Sequence, residues 1–279
     1  MSLSIRVLQG VYDLHIHTAP DVVSRKCSDR IVARRMRDAG MRGGAIKSHY
    51  FETAARAKLL AEEFPELKIV GGVTLNRSVG GLNPEIVKKV GAAGGKMLWF
   101  PTMDAYSFQK NKRGNEDFDT SSFLVACDRT GDLKAEVFEI LKTAWEYDMV
   151  VGTGHLSPDE GMKIVEAAHE QGIKKIVLTH AEHPAVAYSI AQQRNAAQKG
   201  AYIEHSFNNV WFKRCSMESF VEQIRKVGPE HVILTGDFGQ PDAPYFDEAL
   251  RMYIEKITEF FSGEAIDRMT RKNPEALIS

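Results

Sequence analysis

VYDLHIHT, residues 11–18, reads as a short strand with two histidines at its exit. Val11, Leu14 and Ile16 supply its apolar positions, and Thr18, Ala19 and Pro20 mark where it ends. Side chains at i and i+2 of a strand point to one face, so His15 and His17 stand side by side, close enough to share one cation. Taken alone, an HxH is equally well a pair of polar histidines bonded to backbone or water. The rest of the chain decides.

Runs of the same kind recur: GGAIKSHY (43–50), KIVGGVTLN (68–76), KMLWFPT (96–102), MVVGTGHLS (149–157), KIVLTHAEH (175–183), AYIEHSFN (201–208) and HVILTGDFG (231–239). Between them lie amphipathic stretches with helical spacing, such as DRIVARRMRDAG (29–40), TAARAKLLAEEF (53–64), LKAEVFEILKTAWEYD (133–148) and DEGMKIVEAAHEQG (159–172). The strands are almost continuously apolar, as parallel strands covered on both faces must be. Eight strands alternating with helices predict an α/β fold, a single (β/α)8 barrel of TIM type. An open, doubly wound sheet is the alternative, because counting strands does not prove closure.

No Pro/Gly/Ser-rich linker divides the chain, so residues 1–279 are expected to form one domain. The spacing is even except after the fourth strand. About fifty residues separate Lys96 from Met149, roughly twice the usual step of such a fold. Residues 103–132 are therefore expected to be an insertion, and a lid over the site.

Bulk composition excludes several classes. Hydrophobic residues at 43% and charged residues at 26% are ordinary for a soluble domain, and a net charge of −1 argues for neither nucleic acid nor a membrane surface. No apolar run approaches the roughly 18 residues of a membrane-spanning helix, and MSLSIRVLQGVYD does not read as a signal peptide. Cys27, Cys127 and Cys215 are far apart and form no CxxC pair, which fits a reducing cytoplasm and argues against a thiolate zinc site. A small-molecule substrate is the expected partner; a homo-oligomer is left open.

The nine histidines are not spread evenly. His15, His17, His49, His155, His180 and His205 lie at or near the C-terminal ends of expected strands, and His183 follows shortly after His180. In a barrel that rim is where sites are built. The clustering turns the balance toward metal ligation for His15 and His17. The last strand adds Asp237, behind a small Thr-Gly pair; there a carboxylate can bind a cation, take a proton from water or merely cap the next helix.

HxH on the first strand, His155 in TGH, His180 in LTHAEH and Asp237 in TGDFG together resemble the amidohydrolase superfamily. The closing FFSGEAIDRMTRKNPEALIS is similar to that superfamily's last helix, so the resemblance runs from residue 11 to the end. TAPD, AIKSHYFET and TGHLSPDE point to a smaller branch of it. The resemblance implies that His15, His17 and Asp237 bind one divalent metal, with His155 and His180 completing that site or holding a second ion. Zinc is the first expectation, with manganese, iron or nickel as alternatives. The metal would lower the pKa of a bound water, and Asp237, with His180, would serve the proton transfers.

One departure stands out. Binuclear members carry a bridging lysine or glutamate at the end of the fourth strand, which here ends in WFPT; Lys96 lies about five residues too early. Lys47, sharing a face with His49, is open to three readings: a bridging carbamate, a cation for the substrate, or an ordinary salt bridge. Glu204 and His205 face opposite ways, and His205 is kept as the site candidate. Arg25 and Lys26, with Lys110, Lys112 and Arg113, offer positive charge near the rim. Tyr50, Trp99, Phe100, Tyr106 and Phe108 are candidates for an apolar wall.

The leading expectation is a metal-dependent hydrolase of a small amide, lactone or ester. Amidohydrolase-type non-oxidative decarboxylation is one alternative. A phosphoesterase of the polymerase-and-histidinol-phosphatase type also opens with DLHxHT, but that family ends in Asp-x-His, whereas Phe238 and Gly239 follow Asp237. A metal- or ligand-binding barrel without turnover is the non-enzyme alternative.

Overall fold

Short strands alternate with helices along the whole chain, as their apolar runs dictate. A computed structural model describes residues 7–114 and 119–279. Its strands are β1 (Tyr12–His17), β2 (Gly43–Lys47), β3 (Lys68–Val70), β4 (Gly72–Thr74), β5 (Met97–Trp99), β6 (Val150–Gly152), β7 (Ile176–Leu178), β8 (Tyr202–Ser206) and β9 (Val232–Thr235). Every paired neighbour is parallel. The order follows the sequence in both sheets, β1-β2-β3 and β4-β5-β6-β7-β8-β9. Parallel neighbours need crossovers, and the helices supply them.

The expected third strand is two pieces. β3 pairs with β2 and β4 with β5, and the break falls at Gly71. There the backbone of Thr53 approaches so closely that a side chain would collide with it. Thr53 also takes over the ladder groups of Gly72: its Oγ1 accepts from Gly72 N at 2.9 Å and its N–H donates to Gly72 O at 2.8 Å. Past the end of β9 the chain returns to β1. Asp237 N donates to His15 O at 2.9 Å, and His17 N to Phe238 O at 2.8 Å.

Alternation sorts the strand residues onto two faces. Leu98, Val151, Leu178, Ile203 and Leu234 pack into the larger core with the helices. Met97, Trp99, Val150, Val177 and Ile233 form a second cluster with Tyr12, Leu14, Ala45, Leu277 and Ile278. Burying each such aliphatic chain contributes about 1.5–3 kcal/mol. The C-terminal helix Asn273–Ile278 belongs to this second cluster, tied by Asn273 Nδ2 donating to Val232 O at 2.7 Å and by Tyr12 to Glu275 at 3.0 Å. Trp99 and Phe100 are core residues, at 3% and 0% exposure, rather than walls of a site.

Lys96 lies at the start of β5 and pairs with Asp148, which also takes Lys175 at 2.7 Å; this is the strand end opposite the histidines. Between β5 and the helix Ala135–Glu146 lies the helix Tyr106–Arg113, with backbone bridges Ala105–Leu124 and Cys127–Leu133. Part of the expected lid, 115–118, lies outside the described residues. Among the described residues no helix is long and apolar enough to cross a membrane.

Candidate metal centre

Four imidazoles and one carboxylate meet where the C-terminal ends of the strands converge. His15 Nε2 lies 3.3 Å and His17 Nε2 3.1 Å from Asp237 Oδ1, while His180 Nε2 lies 3.8 Å from Asp237 Oδ2. The His15 and His180 rings stack at 4.6 Å. One ligand atom each from His15, His180 and Asp237 falls within 4.8 Å of the others. His155 stands beside them, its ring 5.4 Å from that of His180, and both its ring nitrogens are buried without a hydrogen-bond partner.

Buried partners aim these rings. His15 Nδ1 donates to Glu204 Oε1 at 2.7 Å, and His180 Nδ1 meets Ser206 Oγ at 2.8 Å. The Nε2 atoms are thereby turned toward Asp237, the arrangement that fixes tautomer and orientation in ligating histidines. Glu204 also accepts from Thr235 Oγ1 at 2.8 Å and from His180 N at 3.3 Å. His180 and Asp237 both hold left-handed backbone, φ 51° and 55°. Such conformations cost non-glycine residues of order 1–3 kcal/mol and gather at functional sites.

Electrostatics favour neutral imidazoles. Burial, then neighbouring positive charge, lowers the pKa of His17, His49, His155 and His180 well below the usual histidine range. Lys47, fully buried, is pulled down to about 8 by burial, against the opposing pull of Asp237 and Glu204. Its Nζ donates to His15 Nε2 at 2.9 Å and lies 4.9 Å from the centre of the Trp99 ring. Among the described residues no carboxylate lies within 4.0 Å of Lys47 Nζ, and its polar contact is the His15 ring. The donor set of neutral imidazoles and a carboxylate suits a divalent cation. His15 Nε2, which would hold such an ion, is the atom that now accepts from Lys47.

Above this floor opens a cavity of about 200 Å³, lined by His17, Arg25, His49, Met103, Phe108, His155, His180, His183, Arg214, Asp237 and Gln240. His49 lies just past β2, its ring 4.7 Å from that of His17 and its Nδ1 2.8 Å from Thr102 Oγ1. The Phe108 ring lies tilted against His155, ring centres 4.9 Å apart, so the helix Tyr106–Arg113 contributes one wall. Larger surface hollows, such as that around Trp145 and Lys174, contain none of these groups.

His205 does not join the site, which corrects the sequence expectation. It shares the helix-facing side of β8 with Ile203, packs on Phe220 at 4.9 Å and bonds Glu182 Oε2 through Nδ1 at 2.9 Å. Period-two alternation then turns Glu204 inward, to His15. The apolar Ile203 carries the signal that separates the two. His183, Arg214 and Gln240 also line the cavity, beyond the residues expected from the sequence. The His183 ring lies parallel to that of His155 at 5.9 Å, and the spacing LTHAEH already placed it near His180. Arg214 and Gln240 carry no local sequence signal.

The model of a family of unknown function (DUF6282) matches residues 10–204. No curated protein matches the sequence. Among solved structures, the chain is similar to an amidohydrolase from Pseudomonas aeruginosa, with TM-score 0.67 and 12% identity over 98% of this chain and 97% of that one. A lactonase from Listeria monocytogenes aligns at TM-score 0.60 and 11% identity, over 98% and 95% of the two chains. An organophosphorus hydrolase from Deinococcus radiodurans aligns at TM-score 0.57 and 12% identity, over 99% and 94%. At these identities the likeness is one of fold.

Proposed function

The chain belongs to the DUF6282 family, on a fold shared with amidohydrolases, and on that premise we propose that it is a metal-dependent hydrolase of small amides, lactones or esters. The observation that carries this is the convergence of His15 Nε2 and His17 Nε2 on Asp237 Oδ1, at 3.3 and 3.1 Å, at the floor of a small cavity. In this reading the chain is one closed (β/α)8 barrel. The two hydrogen bonds between β1 and the segment after β9 support closure.

His15, His17 and Asp237 would hold a divalent ion, zinc by donor type, and His180 and His155 would complete its surroundings. Bound there, the ion supplies Lewis acidity for a substrate oxygen and acidifies a water. Glu204 and Ser206 hold His15 and His180 in register throughout. Asp237 Oδ1 faces the imidazoles of His15 and His17, which leaves Oδ2, on the His180 side, to accept the proton of the attacking water and return it to the leaving group. The described part of 103–132 would act as a lid: Phe108 covers His155, and Ser107 Oγ donates to Ala185 O at 2.7 Å.

A panel of lactones, esters, amides and carboxylic acids, assayed with and without added metal, tests the proposal. Metal-dependent hydrolysis is the expected result. Release of carbon dioxide with no hydrolysis would replace hydrolase by decarboxylase.

A further inference from the structure

Two guanidinium groups reach the same small cavity from different loops. Arg25 follows β1 and Arg214 follows β8, and the loop after β9, with Asp237 and Gln240, lies between them in strand order. We infer that the cavity takes its substrate through an anionic oxygen group, carboxylate or phosphate, held between Arg25 and Arg214. This rests on reading the cavity as the substrate site.

Arg25 is not a loose surface charge. Its side chain is 6% exposed, and its Nε donates to Oδ2 of Asp21, whose side chain is fully buried. Asp21 is itself pinned, its Oδ1 accepting from Val22 N at 2.8 Å and from Ser48 Oγ at 3.0 Å. One edge of the guanidinium is thus clamped from behind. Holding a planar fork in one orientation removes the entropy that a free arginine loses on binding an anion.

Arg214 stands exposed at the cavity mouth, and among the described residues no carboxylate pairs with it. Its Nη1 donates to Asn208 Oδ1 at 2.7 Å, and Asn208 Nδ2 donates to Asp237 O at 2.7 Å. Among the described residues the charge is therefore uncompensated, and it is tied to the residue that carries the proposed chemistry. Among the described residues Asp237 is the only carboxylate lining the cavity, and it is turned to the imidazoles. Gln240 adds an acceptor: its Nε2 donates to Asp237 O at 3.3 Å, while its Oε1 is buried and unpartnered. An incoming molecule thus meets two cationic forks and one amide oxygen. The cavity, about 200 Å³, suits a small molecule.

Calorimetric titration of the full, metal-loaded chain at fixed ionic strength tests this, with malonate, inorganic phosphate and neutral malonamide as probes. Malonate or phosphate should bind and malonamide should not; the tighter of the two anions identifies the group. Arg214→Gln, at an exposed position, should weaken that binding about tenfold or more, with metal content unchanged. Arg25→Lys keeps a charge for Asp21 but loses the fork, and should weaken it as well. Equal binding of malonamide, no binding of either anion, or wild-type anion affinity in both variants would overturn the inference. A chain that takes up no metal yet still binds anions through Arg214 would refute the metal reading alone.

Discussion

Glu204, on β8, accepts a 2.7 Å hydrogen bond from His15 Nδ1, on β1, and so turns His15 Nε2 toward Asp237. Both side chains are buried, at 0% and 3% exposure, so water does not compete for this bond. The bond between strands far apart in sequence makes Glu204 a positioning residue. Glu204→Gln should leave the fold intact and lower metal affinity about 10- to 100-fold, the usual cost of losing such a partner. Chelator-competition titration measures it; wild-type affinity would remove Glu204 from the site.

Asp237 is placed both to hold an ion and to move a proton. Asp237→Asn keeps one oxygen for the ion but loses the basic one. Turnover should fall by about 10²–10⁴-fold while most of the metal stays bound. Steady-state rates and metal content of the same preparation decide it, and unchanged rates would take Asp237 out of the mechanism.

His17 and His205 form a contrasting pair. His17→Ala should lose metal with little change in stability. His205→Phe leaves Glu182 without one of its partners, and Glu182 also accepts from Ser206 N at 2.8 Å and Asn209 Nδ2 at 2.7 Å. That variant should be destabilised by about 1–3 kcal/mol with its metal retained. Thermal melts and metal analysis of both variants give the answer, and metal loss from His205→Phe would restore it to the site.

Phe108 tests the lid. Its ring covers His155 from the helix Tyr106–Arg113, whose side chains otherwise stand partly or fully exposed. Phe108→Ala should raise KM several-fold with a smaller effect on kcat, because it removes packing and not chemistry. An unchanged KM would leave 103–132 without a role in binding.

Much of the site was legible because strand periodicity is local. His15 and His17 share a face through spacing alone, and His155, His180 and Asp237 follow from their place at strand ends. Counting residues along β5 keeps Lys96 off the rim, and it pairs with Asp148 at the opposite strand end. His205 carries the chemistry of a ligand, but parity decides its direction: the apolar Ile203 marks the helix side of β8. The sequence of the third strand shows no interruption, because the break depends on Thr53, a residue from another element. Arg214 and Gln240 stayed hidden for a similar reason: loop residues reach a cavity through tertiary placement, and no periodicity encodes that.

Elemental analysis of the purified chain, beside His15→Ala, tests the central claim most directly. The account predicts about one equivalent of a divalent transition metal per wild-type chain and a large loss in the variant. No metal in the wild type even after zinc or manganese is offered, or full occupancy in His15→Ala, would contradict it.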